Sequence, residues 1–216
     1  MEDKHFRQAL ALIKGSKKQL DDIEAMYRYC LNKKEIDDDL LVVIKNYLEN
    51  LRSSLEYCAQ GLNEKYGVCK DKSKVSFPYA KVMVTKEHFI KRKYIENRIP
   101  GITDSRPDIA NYIESIQHFS DPRLKWFPAF MSLTNTNKHI ELTPHEKFEG
   151  VEMKLPSGAS IVAKSISGTG TVPRGTTTTQ WDEFLIKGVD WPLTGIEFLR
   201  HCQGAISGVV QQMAKM

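Results

Sequence analysis

The sequence has 216 residues, of which 41% are hydrophobic and 27% charged, the composition of a globular protein with a core of its own. It has no run of about 18 apolar residues, which a membrane-spanning helix needs, and no signal-peptide pattern. Its four cysteines lie far apart without a C-x-x-C pair, which argues against a zinc site or a disulfide framework. We therefore expect a cytoplasmic protein with no membrane partner, no metal and no cofactor.

The first thirty residues predict two helices separated at Gly15, with Ser16 as the N-cap of the second. Apolar residues then recur every three or four positions for about six turns, which predicts one long amphipathic helix over 37–65. These apolar positions are Leu40, Ile44, Tyr47, Leu48, Leu51, Leu55, Cys58 and Leu62. A long helix with so wide an apolar stripe is typical of the centre of a helical bundle.

Three shorter helices are predicted between the long helix and residue 142. Capping residues and prolines mark their ends. They are a helix capped by Thr85 that ends near Ile99, a helix that opens at Pro107, and a helix from Trp126 to Thr134.

The sequence changes character after Pro144. β-prone residues in three runs predict a small antiparallel meander, and Thr194 then caps a final amphipathic helix. We therefore predict an α+β fold in a single domain, 1–216. Its parts are a helical bundle at 1–142, a β-rich insertion at 150–188 and a C-terminal helix at 194–214 that returns to the bundle.

Positive charge is concentrated in one segment. Between Lys70 and Arg98, nine basic residues stand against three acidic ones, an excess larger than the net charge of +4 of the whole chain. Such a surface attracts phosphates, and we expect Lys91, Arg92, Lys93 and Arg98 to contact nucleic acid. The alternative is a lysine-rich face that contacts only solvent.

A polar cluster that runs from Asn135 to His139 interrupts otherwise apolar sequence. Polar residues in such a place cost stability unless they are hydrogen-bonded or take part in chemistry. Lys138 disfavours the imidazolium form of the adjacent His139, which suits a proton-transfer group near neutral pH. The alternative is a structural network that satisfies backbone groups at a helix end.

Three motifs occur in a fixed order: Leu51-Arg-Ser-Ser-Leu-Glu-Tyr57, Phe77-Pro78 and Leu133-Thr-Asn-Thr-Asn-Lys-His139. This order resembles a group of bacterial and phage proteins whose motifs read LRSALDY, FPI and LxNxxKHR. That group is similar to the HEPN superfamily, whose helical domains often act as metal-independent ribonucleases in toxin–antitoxin and phage-defence systems. The resemblance covers about residues 37–142 and implies an RNA substrate and a homodimer.

The resemblance implies a catalytic role for His139 and adds Asn135, Lys138, Arg52 and Glu56 as the other candidates. Active members carry an arginine four to six residues before the catalytic histidine, whereas those positions hold neutral residues here. Arg52 or Lys138 would then have to supply the positive charge for a phosphate. The alternatives are an RNA-binding protein without activity and a non-enzymatic protein-interaction module of bacterial or phage origin.

Overall fold

A computed structural model gives the fold of the chain, which is mainly helical. The residues it describes are 3–139, 142, 145–158, 160–163, 174–186 and 194–216, with the backbone only at 138–139, 146–153, 160–163 and 178–183. The described α-helices are α1 Lys4–Lys33, α2 Asp38–Tyr66, α3 Lys86–Lys91, α4 Ile102–Ser105, α5 Pro107–Ser115, α6 Trp126–His139 and α7 Gly195–Lys215. The described strands are β1 His145–Lys154, β2 Ser160–Ala163 and β3 Thr177–Ile186.

Helices α1 and α2 form an antiparallel hairpin at the centre of the bundle. Phe6 near the start of α1 lies against Gly61 near the end of α2. The predicted long helix is confirmed to within one residue at each end, and its eight apolar positions are all buried. The other helices therefore pack around a core that α2 supplies along most of its length.

The predicted break at Gly15 is wrong, because α1 continues without interruption to Lys33. Ser16 is buried in that helix, and its hydroxyl donates to the carbonyl of Leu12, one turn earlier. A glycine inside a helix costs only about 1 kcal/mol relative to alanine. The packing of α1 along α2 outweighs that cost.

The shorter helices begin where the sequence predicts and end elsewhere. Thr85 caps α3 by accepting from the N–H of His88, and Pro107 is the first residue of α5. Helix α3 ends at Lys91 rather than near Ile99, because the backbone turns left-handed two residues later. Helix α6 runs on to His139, so the polar cluster forms its last turns instead of following it.

The three strands pair antiparallel in the order β2-β1-β3. The predicted meander is therefore wrong, because a meander would place β2 between the other two strands. β1 begins at His145, ahead of the predicted boundary at 150, and is long enough to pair with β3 over ten residues. β2 covers only one end of β1, from Val151 to Lys154.

Tyr27 of α1 holds the sheet against the bundle. Its hydroxyl is hydrogen-bonded to Nε2 of His145 in β1, and its ring meets Phe184 of β3 edge-on. Gly195, the first residue of α7, passes the same hydroxyl so closely that a Cβ on it would lie 2.5 Å away. One buried side chain thus meets two strands and the start of the last helix.

Helix α7 returns the chain to the bundle. Thr194 caps its start, as predicted, and Glu197 completes a capping box with it. The buried hydroxyl of Tyr47 in α2 donates to the carbonyl of Leu199 at 2.8 Å. About three turns farther along α2, burial raises the pKa of the core thiol of Cys58 to about 12, so that thiol stays neutral. Among the described helices, none is long and apolar enough to cross a membrane.

We expect Gly195→Ala to lower the free energy of unfolding by about 1–3 kcal/mol, because the added methyl group overpacks the junction. Besides the Tyr27 hydroxyl, the new Cβ would lie 3.0 Å from the carbonyl oxygen of Phe184. The matched control is Gly204→Ala in the same helix, where a Cβ meets nothing within 4 Å. We expect the control to raise stability by about 0.5–1 kcal/mol. Urea denaturation measures both, and equal effects would contradict this account.

Candidate functional site

The segment 67–85 has little regular structure, and polar side chains on one face of α2 hold its backbone in place. These side chains are spaced by about one helical turn, so they lie along one line. Each binds backbone groups of the segment: Asn63 those of Cys69, Gln60 the carbonyls of Lys72 and Val75, and Glu56 the N–H of Phe77. The helix that supplies the core therefore also positions the segment that leads to the candidate site.

Gln117, just after α5, fixes the end of this segment. Its Oε1 accepts from the N–H of Ala80 at 2.8 Å, and its Nε2 donates to the carbonyls of Pro78 and Ile113. The side chain is fully buried, so these bonds are made out of contact with solvent. They set the backbone on both sides of Tyr79.

Tyr79 reaches α6 from this segment. Its ring packs edge-on against Phe127, and its hydroxyl oxygen accepts from Nδ2 of Asn135 at 3.3 Å. Sequence reasoning missed Tyr79 as a member of the site. The only available signal was its position directly after the Phe77-Pro78 motif.

Arg52 joins α2 to the start of the polar cluster. Its Nη1 donates to Thr134 Oγ1 at 2.9 Å and to Asn135 Oδ1 at 2.5 Å. Its Nε lies 3.6 Å from Oε1 of Glu56, an ion pair longer than a hydrogen bond. The side chain is 17% exposed.

Some of the N–H donors of the Arg52 guanidinium have no acceptor among the described residues. Of its five N–H groups, both on Nη1 are used, whereas the two on Nη2 have no acceptor in the described part of the chain. Glu56 shares its carboxylate between Arg52 and the N–H of Phe77 at 2.7 Å. Arg52 is therefore held through Nη1, and the two N–H groups of Nη2 can still donate to an anion such as a phosphate.

The structure brings three of the five catalytic candidates together, namely Arg52, Glu56 and Asn135. Lys138 and His139 belong to the last turn of α6, and their side chains lie outside the described residues. Because α6 is helical through its last residue, position 139 follows position 135 by about one turn.

The predicted nucleic-acid contacts are Lys91, Arg92, Lys93 and Arg98. All four are exposed, and none has an ion-pair partner among the residues that the structure describes. Other basic residues of the segment are paired: Lys72 with Glu64, Lys74 with Asp71, and Lys86 with Glu114. The carbonyl of Arg98 accepts from the N–H of Ser76, next to Phe77. The segment 67–85 thus connects Arg98 to the Arg52 cluster, which consists of Arg52, Glu56, Thr134 and Asn135.

No group of three or more His, Cys, Asp or Glu side chains within the described ranges is arranged to hold a metal ion. Comparison with protein-family models, with curated proteins and with solved structures gives no match. The HEPN-like resemblance therefore stays a prediction carried by the three sequence motifs.

We expect Gln117→Met to lower the free energy of unfolding by about 1–3 kcal/mol, because it leaves the buried N–H of Ala80 without an acceptor. The control is Gln211→Met, which replaces an exposed glutamine on α7 whose amide donates to Ser207. A surface change of this kind is expected to stay within about 0.5 kcal/mol. Denaturant unfolding followed by circular dichroism compares the two variants. Equal stability of both would contradict the role given to Gln117.

Proposed function

We propose that the protein is a HEPN-like, RNA-directed protein that acts as a metal-independent ribonuclease. Its site would lie where Arg52 of α2 meets the last turns of α6. The observation that carries the proposal is the partly occupied guanidinium of Arg52, which is bound to Thr134 and Asn135 through Nη1 and has both donors of Nη2 left.

In this proposal Arg52 replaces the arginine that α6 lacks before His139. The donors of Nη2 can bind phosphate oxygens, and the positive charge of the guanidinium stabilises the negative charge that develops on those oxygens in the transition state. Glu56 and Asn135 act as positioning residues, because their contacts fix the plane of the guanidinium. The positive charge that is missing before His139 in the sequence would then come from α2.

The reaction needs no metal. His139 takes the proton of the ribose 2′-hydroxyl while that oxygen attacks the adjacent phosphorus. The bond from phosphorus to the 5′-oxygen breaks, and the leaving oxygen takes a proton from solvent or from Lys138. The products are a 2′,3′-cyclic phosphate and a 5′-hydroxyl end. Lys91, Arg92, Lys93 and Arg98 would hold the backbone of the RNA by charge.

The resemblance extends the proposal to a homodimer that serves a bacterial or phage defence or toxin-type system. A second candidate function is a non-enzymatic protein-interaction module, which the exposed apolar residues beside α3 favour. Val82 and Met83 are 58% and 91% exposed in the turn before Thr85, and neighbouring exposed apolar side chains mark contact surfaces for proteins.

We expect purified protein to cleave single-stranded RNA in EDTA and to leave 2′,3′-cyclic phosphate ends. His139→Ala and Arg52→Gln should each lower the rate about 100-fold or more, because they remove the proton acceptor and the cation. The matched control is Lys45→Gln, which breaks the Lys45–Glu49 pair, also four residues apart on α2. The control removes the same charge from the same helix and should cleave at the wild-type rate.

Intact RNA after incubation with folded wild-type protein would overturn the ribonuclease proposal. Cleavage that stops in EDTA would overturn the metal-independent mechanism. Equal loss of activity in Arg52→Gln and Lys45→Gln would show that the Arg52 charge has no special place in the reaction.

A further inference from the structure

A groove of about 490 Å³ lies outside the Arg52 cluster, between the end of α3 and the helices α4 and α5. Tyr94 and Phe89 contribute aromatic surface to it, and Lys93 contributes a cation. Asp104 and Asn111 bring a carboxylate and an amide from the opposite side. The groove therefore combines a flat apolar surface with hydrogen-bonding groups of both signs.

The end of α3 builds one side of this groove. The N–H of Tyr94 bonds to the carbonyl of Phe89, and the N–H of Lys93 bonds to that of Ile90, which is a Schellman motif. The aromatic rings of Tyr94 and Phe89 stack at 4.9 Å, the apolar contact that usually accompanies this motif. Lys93 has a φ of 50° at the position where glycine is favoured.

The groove is lined by one lysine and by three carboxylates, Glu96, Asp104 and Glu114. Lys93 lines it at the end of α3, and the exposed Lys91 and Arg92 precede Lys93 in the chain. Across the groove, Asp104 and Asn111 have no hydrogen-bond or ion-pair partner within the described part of the molecule. Glu96 accepts from the N–H of Gly101 and from the hydroxyl of Thr103, and Glu114 pairs with Lys86. Asp104 and Asn111 are therefore the lining side chains whose acceptors have no described partner, and Lys93 supplies the positive charge.

We propose that this groove binds one nucleotide of a single-stranded RNA, with the base against Tyr94 and the phosphate at Lys93. The inference rests on the proposed RNA-directed function and names the form of RNA that the protein takes. A nucleotide carries groups that complement these, since its phosphate is anionic and its base is a flat ring with donors on the edge. Adenine and cytosine carry exocyclic amino groups that donate to Asp104 and Asn111, whereas uracil has none.

The decisive variant is Lys93→Gly, because it changes stability and binding in opposite directions. Glycine relieves the left-handed conformation, so the midpoint of urea unfolding should rise. The same change removes a phosphate contact, so affinity for RNA should fall about tenfold and the salt dependence of binding should lose about one charge. A purely structural role for Lys93 would leave binding unchanged.

The chain offers a matched control in Lys34→Gly. Lys34 ends α1 with the same hydrogen-bond pattern and a φ of 60°. It precedes α2, whereas Val68, which lies against Gly101 at the start of α4, follows the far end of that helix, about 40 Å away. This variant removes a charge and relieves the same strain, and it should bind RNA as the wild type does.

Binding is measured by fluorescence anisotropy with labelled single-stranded 12-mers of A, C or U, in the full-length His139→Ala background, which blocks cleavage. We expect the A and C oligomers to bind several-fold more tightly than the U oligomer, and Asp104→Ala to remove this preference. Equal affinities of Lys93→Gly and Lys34→Gly, together with no base preference, would overturn the groove proposal.

The two proposals fail separately. RNA that is cleaved in EDTA by a protein whose groove variants bind like wild type would overturn the groove alone. RNA that binds with the expected dependence on Lys93 but is never cleaved would overturn the ribonuclease and support the groove. No binding of any oligomer would overturn the groove proposal as well.

Discussion

The fold depends on the burial of α2, which uses two of its faces for different purposes. Its apolar stripe packs against α1, α6 and α7 and supplies the centre of the core. A line of polar side chains on another face, from Glu56 to Asn63, satisfies the backbone of the segment 67–85. Without those partners, backbone groups in an irregular segment against the core would stay unpaired, at a cost of about 1–3 kcal/mol each.

The candidate site follows from the same arrangement. Arg52 continues the polar line of α2 by one turn beyond Glu56, and at that point α6 crosses the helix. The guanidinium is hydrogen-bonded to the neutral side chains of Thr134 and Asn135, whereas the carboxylate of Glu56 lies farther away, at 3.6 Å. Its positive charge is therefore only partly compensated, which is the condition that an anion-binding site requires.

The proposed groove and the Arg52 cluster differ in how they are built. The cluster joins two long helices and is held by several hydrogen bonds to buried or half-buried groups. The groove depends on the six-residue helix α3, on the left-handed Lys93 that follows it, and on the short helices around it. Short elements leave more concave surface between them, so the groove has room for a ligand. The cluster instead offers the N–H donors of Arg52 Nη2 to an anion.

The sequence by itself determined the long helix, its buried face, the caps at Thr85 and Thr194 and the start of α5, because these depend on local spacing and capping chemistry. Tertiary structure decided that α1 passes through Gly15, since packing along α2 outweighs a weak local preference. It also decided that β1 is the central strand, because pairing partners are chosen by contacts distant in sequence. The motifs named Arg52 and Asn135, but only the crossing of α2 and α6 brings the guanidinium to the amide and adds Tyr79.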